Sequence, residues 1–265
     1  MTTVTARHPR PDPLVPHEHG AWAFLLLPVA LSLGVTGWSA ALPLVVATWV
    51  CAYPAAWATS GLAFGRGRRG RFRRAARVWV PLTVAAGTPL LALHPWLCWV
   101  LLTYTGLHAA TLQHARRHRE RSLTADLVLV AQCSLLVPVL GGLAAATGPT
   151  AWVPPVDAML APDVVGAAVL CALALVGSTL HVKSLIRERA DPAYATASRL
   201  FAAMAPAAAV AVSLAAGWGV GPVLAFAALT VRAWALRRPD WRPARIGLAE
   251  LAGLVGVVAG VALSA

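Results

Sequence analysis

The chain has 265 residues, of which 58% are hydrophobic and 12% charged, and its mean hydropathy is +0.69. Soluble domains carry about a quarter of their residues as charges, so this composition excludes an ordinary soluble fold. The formal charge of +12 does not indicate nucleic-acid binding, because the bases lie in short strips between apolar runs rather than on one soluble face.

Residues 1–20 form a polar tail, and residues 21–265 read as a single all-α membrane domain. A crossing helix needs about 20 mostly apolar residues. Nine runs are expected to cross: 21–38, 41–63, 78–93, 96–112, 123–146, 164–180, 200–218, 220–236 and 246–264. They are continuous rather than alternating, which excludes barrel strands. The third is short and holds both Pro81 and Pro89. No cleavable leader is expected, since the first run starts behind a polar tail without a cleavage signature. Cys51, Cys98, Cys133 and Cys171 each fall in a separate run and read as small buried apolar residues.

All 22 Lys and Arg residues lie in the tail or around every second gap. Arg7 and Arg10 precede the first run, seven arginines between Arg66 and Arg77 follow the second, and Arg116, Arg117, Arg119 and Arg121 follow the fourth. Lys183, Arg187, Arg189 and Arg199 follow the sixth, and Arg232, Arg237, Arg238, Arg242 and Arg245 mark the end of the eighth and beyond. Bases in short loops stay on the cytoplasmic side. The expected topology is therefore nine crossings, with the N-terminus cytoplasmic and the C-terminus outside. The basic loops are expected to touch anionic lipid head groups.

The outer gaps at Gly37, Pro95 and Gly217 are tight, so helical hairpins are expected to pair runs one with two, three with four, and seven with eight. The fourth outer gap, 147–163, is longer, and its apolar stretch around Trp152 is expected on the membrane surface. The stretch from Gly65 to Arg74 is expected to be a flexible basic strip. Prolines inside the runs, such as Pro28, Pro54 and Pro138, argue for an irregular bundle around a cavity.

The chemistry-bearing residues share the basic side. His17, Glu18 and His19 stand at the mouth of the first helix, where two imidazoles and a carboxylate suit a proton, a metal ion or an anion. The plain alternative is an interfacial helix cap. After the sixth run, His181, Ser184 and Glu188 fall within about 60° on a continued helix, while Lys183 and Arg187 share another face. One face would handle protons and the other phosphate; the plain alternative is an interfacial extension whose bases snorkel. Asp126 and Glu250 are intramembrane acids, and such groups mark either a site or a buried pair. Arg119 and Arg121 are expected to neutralise Asp126, and Arg242 and Arg245 to neutralise Glu250, if the acids are not functional. His108, Gln113 and Gln132 read as interhelical hydrogen-bonding positions.

The opening motif from His17 to Ala23, followed by 25–28, resembles the signature of the YwiC-like family of bacterial membrane proteins. The stretches 183–189 and 243–250 are similar to that family too. A more distant, architectural resemblance is to the UbiA-type intramembrane prenyltransferases. That resemblance implies a prenyl diphosphate held through Mg²⁺ by two acidic motifs, after the second and sixth helices. Here no Asp occurs between Asp12 and Asp126, and only Glu188 and Asp191 stand where the second motif would be.

The resulting expectation is a UbiA-like bundle whose cytoplasmic polar pocket binds an anionic lipid or isoprenoid-type ligand. His17, Glu18, His19, His181 and Glu188 would be the catalytic candidates. Lys183, Arg187, Asp126 and Glu250 would contact the ligand. Alternatives are a non-enzymatic accessory protein, whose basic face docks a partner, and a small-molecule or ion carrier using Asp126 and Glu250. The carrier would need polar groups in the outer half, where the runs are mainly Ala, Val and Leu.

Overall fold

The computed structural model describes residues 14–16, 19–64, 69–119, 121–146, 149, 152–236 and 241–265. Among them the regular structure is entirely helical. In chain order the helices are α1 (His19–Thr36), α2 (Leu42–Phe64), α3 (Arg69–Leu93), α4 (Leu97–Arg116) and α5 (Leu123–Ala144). There follow the one-turn α6 (Val156–Met159), then α7 (Pro162–Val182), α8 (Pro192–Ala216), α9 (Gly221–Ala235) and α10 (Pro243–Ala262). A π-helical turn, Lys183–Arg187, prolongs α7.

Each expected apolar run falls on one helix. Among the described residues six helices are long and apolar enough to cross a membrane, namely α2, α3, α5, α7 with its extension, α8 and α10, while α1 and α9 are apolar but shorter and α4 is not among the six. This is a multi-pass helical membrane protein.

Several helices, α3, α4, α8 and α10 among them, outrun their apolar stretches at the basic end. Arg69 opens α3, so Arg71, Arg73, Arg74 and Arg77 ride on its first turns instead of forming a flexible strip. Residues 65–68 of that strip lie outside the described residues. Local signals set the starts. Asp191 caps α8 by accepting a hydrogen bond from the Ala193 amide at 2.9 Å, and Ser122 caps α5 from the Ala125 amide at 3.2 Å. Prolines occupy the first turn of α7, α8, α9 and α10, where a missing N–H costs nothing. Gly217 closes α8 with φ 70°, a left-handed conformation that a side chain would resist.

Packing departs from the expected hairpins. Helix α7 is the axis, with more than half of its residues buried, and α5, α8, α1 and α10 surround it. Leu31, Val137, Leu170, Leu175, Phe226 and Val257 fill the space between them. The α8/α9 hairpin is close-packed as expected, but α1 with α2 and α3 with α4 touch only sparsely. The tightest pair is instead α2 with α3, on the two sides of the arginine-rich segment. Gly61 permits it, because a Cβ there would enter the Phe72 ring. Trp57 stacks edge-on with Phe72 at 5.0 Å, and the Arg71 guanidinium lies 5.0 Å from the Trp57 ring. A tight turn makes two helices antiparallel; complementary faces decide whether they pack. Helix α3 shows most of its surface, including Leu82 and Val84, to the lipid side.

At the end away from the arginines, the Gly219 amide donates to the Ser264 carbonyl at 3.3 Å and the Gly221 amide to Ser264 Oγ at 3.1 Å. The end of α10 is thereby fixed to the α8–α9 turn. In the long outer gap Trp152, Val153 and Leu160 are exposed, and Trp99 Nε1 donates to the Trp152 carbonyl at 3.3 Å.

Candidate functional site

Four helix ends meet at the basic end of the bundle around a cavity of about 370 Å³. The start of α1 contributes Gly20, Ala21, Ala23 and Phe24, and the start of α5 contributes Asp126 and Leu129. The end of α7 and its π-turn contribute Ser178, Lys183 and Arg187, and α10 contributes Ile246, Glu250 and Leu254. The walls are therefore mainly apolar and the charges are gathered in one region. All four expected ligand contacts, Asp126, Lys183, Arg187 and Glu250, line this one cavity.

The cavity forms here because α7 does not continue as a regular helix. The π-turn widens the backbone from Lys183, whose carbonyl accepts from the Glu188 amide at 2.8 Å. Wide turns of this kind re-aim side chains and recur at functional sites. Lys183 is turned inward, 2% exposed, while Arg187 one turn later is exposed at the rim.

The acids are matched by cations from other helices, not by their sequence neighbours. Lys183 Nζ lies 2.8 Å from Asp126 Oδ2 and donates to the Arg121 carbonyl at 2.6 Å. Arg232, at the end of α9, places Nη1 2.8 Å from Glu250 Oε2. Arg121 thus meets the network through its backbone, and Arg242 is the residue that caps α10. Because α10 begins at Pro243, Glu250 sits about 10 Å along the helix at 1.5 Å per residue, deeper than the apolar run implied. In the sequence Arg232 stands out only as a topology signal. Its position one turn before the end of an apolar run was the signal that it could turn inward.

Both pairs stand at charge-assisted hydrogen-bond distance, 2.8 Å, and the Ser178 hydroxyl on α7 is a further hydrogen-bond partner of the Glu250 carboxylate. On the far side of Glu250, His181 Nε2 stands 3.9 Å from Oε1, and the imidazole is 3% exposed.

The other candidates separate. His17 and Glu18 lie outside the described residues, as does the His19 side chain. The neighbouring Gly20 and Ala21 of that motif border the cavity. His181 and Ser184 face a second cavity, and the Ser184 hydroxyl donates to the His181 carbonyl at 2.8 Å. Glu188 ends the π-turn and lines neither cavity, so the expected wedge of His181, Ser184 and Glu188 is broken by the change of helical pitch. His108 makes an interhelical contact, Nε2 to Thr59 Oγ1 at 3.4 Å, while Gln132 accepts from the Tyr104 hydroxyl at 2.7 Å through its backbone carbonyl, not its side chain.

The Mg²⁺ clamp that a UbiA-type site requires does not fit these residues. Among the described residues no three His, Cys, Asp or Glu side chains converge to hold a metal. Asp191 caps α8, and Asp126 is matched to Lys183.

Fold and site together define a polytopic helical membrane protein with a buried charge network at its basic end. The YwiC-like protein family matches residues 15–141. Over 250 residues the chain is 28% identical to the Bacillus subtilis (strain 168) protein named "Uncharacterized protein YwiC", covering 90% of this chain and 92% of that one. Both findings support the YwiC-like family. No solved structure matches the chain.

Proposed function

We propose that this protein is a nine-span protein of the bacterial cytoplasmic membrane, with its N-terminus inside and its C-terminus outside. Its cavity between α1, α5, α7 and α10 would bind the anionic head of a lipid or isoprenoid-type amphiphile. The charge balance of the lining carries this reading. Asp126 and Glu250 are matched by Lys183 and Arg232, and among the described residues no carboxylate lies within ion-pair distance of Arg187. The unmatched charge at the rim is therefore positive. Apolar walls formed by Phe24, Leu129, Ile246 and Leu254 suit the chain of an amphiphile entering from the bilayer.

The function proposed is binding, with the head held by protein cations in place of the magnesium that UbiA-type enzymes use. Buried charge at a helix end inside a membrane is costly and is retained where it serves a site. Native mass spectrometry of the full chain, released from native-lipid nanodiscs, tests the reading. A lipid with an anionic head should remain bound at a fixed stoichiometry. It should be depleted in Arg187→Gln and in Ala23→Leu, which narrows the wall. Retained lipid that merely mirrors the bulk membrane, unchanged by both substitutions, would overturn it.

A further inference from the structure

The second cavity, of about 270 Å³, lies behind the His181 ring and is walled by His181, Ser184, Arg189, Ser198, Arg199 and Ala233. We infer that it is a separate oxyanion site, fitted to a phosphate or diphosphate group. This inference does not rest on the lipid reading of the first cavity.

Its charge differs in kind from that of the first. No carboxylate lines it, and among the described residues neither Arg189 nor Arg199 has a carboxylate within ion-pair distance. Two guanidiniums around one concavity repel each other, and an oxyanion between them removes that repulsion while accepting their hydrogen bonds. Arg199 is already oriented. Its Nε donates to the Ala195 carbonyl at 3.1 Å and its guanidinium carbon lies 5.9 Å from the Trp234 ring, so its two terminal amino groups are the ones left to project. Ser198, 4% exposed, puts a hydroxyl in the same wall.

The buried imidazole closes the site from behind. His181 Nε2 is turned to Glu250 at 3.9 Å, so its ring stands between this cavity and the carboxylate that lines the first one. The volume is a little below the roughly 300 Å³ at which drug-sized ligand pockets begin, which favours a small anion over a large organic molecule.

Inorganic phosphate and diphosphate titrated calorimetrically against the full chain in phosphatidylcholine nanodiscs, with phosphatidic acid nanodiscs as a second arm, test the proposal. Saturable binding of the free anions should weaken about tenfold or more in Arg199→Gln and in Arg189→Gln, and change less than twofold in Arg73→Gln, exposed on α3 and lining neither cavity. Arg199→Lys, which keeps the charge but loses the planar fork, should fall between wild type and Arg199→Gln. If phosphatidic acid competes with the free anion and the competition shows the same Arg199 dependence, the phosphate reaches the site as a lipid head. If only the free anion binds, it arrives from water. Absence of saturable binding in both arms overturns the proposal. So does binding that Arg73→Gln abolishes while Arg199→Gln, eluting as folded protein, leaves it intact.

Discussion

Arg232 on α9 and Glu250 on α10 meet at 2.8 Å inside the bundle, with the Arg232 side chain 11% and the Glu250 side chain 8% exposed. Their contact ties the last two helices together at the level of the cavity, and Glu250 passes the link on to His181 of α7.

Removing one member of such a pair strands a charge, whereas removing both removes the problem. Arg232→Met alone is expected to destabilise the protein by about 3–5 kcal/mol, and Arg232→Met with Glu250→Gln by far less. Thermal unfolding in detergent, followed by size exclusion, measures the order of the three proteins. A double variant no more stable than the single Arg232→Met would contradict the pairing.

Lys183 performs two tasks with one ammonium, matching Asp126 and holding the Arg121 carbonyl. A compact ammonium with three freely rotating donors can do both, whereas a guanidinium is bulkier and aims its donors in a fixed plane. Lys183→Met should therefore release the connection between α4 and α5. Trypsin cleavage in the Arg116–Arg121 segment should accelerate several-fold relative to the cleavage within 65–77. Lys183→Arg should restore protection only in part.

Much of this was legible in the sequence. Nine apolar runs announced nine of the ten α-helices among the described residues, and alternating bases announced one charged end at which Asp126, Lys183, Arg187 and Glu250 would meet. Hydropathy does not report where a helix starts, however. Arg and Ala are good helix formers, so α3 extends back to Arg69 through a segment that reads as a polar loop. The Asp191-Pro192 cap and the Arg242-Pro243 pair were readable start signals for α8 and α10. Ion-pair partners were less accessible. Arg242 is near Glu250 in sequence but lies two turns away at the helix start, while Arg232 reaches it from a neighbouring helix through packing that no local pattern encodes.

Close approach of α9 and α10 depends on a pair of glycines. A Cβ at Gly260 would stand 2.6 Å from the Gly221 carbonyl oxygen and 2.8 Å from its carbon, both backbone atoms that cannot swing away. Gly260→Ala should cost about 1–3 kcal/mol through overpacking, beyond any gain in helix propensity. Gly256, one turn earlier on the same helix, has open space at the corresponding point. Gly256→Ala should be neutral or stabilising by up to about 1 kcal/mol. Opposite signs for the two alanines in a detergent melting series are the expected result, and equal effects would show that α9 and α10 do not approach as described.

An odd number of crossings puts the two chain ends on opposite faces of the membrane, and this can be read with single cysteines. In a background where Cys51, Cys98, Cys133 and Cys171 are replaced by alanine, Ala40→Cys and Ala265→Cys lie at exposed positions at the end away from the arginines. Arg119→Cys is exposed at the basic end. The excess of arginine there favours retention in the cytoplasm. A membrane-impermeant maleimide applied to intact cells should therefore label Ala40→Cys and Ala265→Cys, and should label Arg119→Cys only after lysis. Labelling of Ala40→Cys without Ala265→Cys would mean an even number of crossings. The first helix to suspect would then be α9, whose 15 residues span about 22 Å at 1.5 Å per residue, short of the roughly 30 Å hydrocarbon core unless the bilayer thins around it.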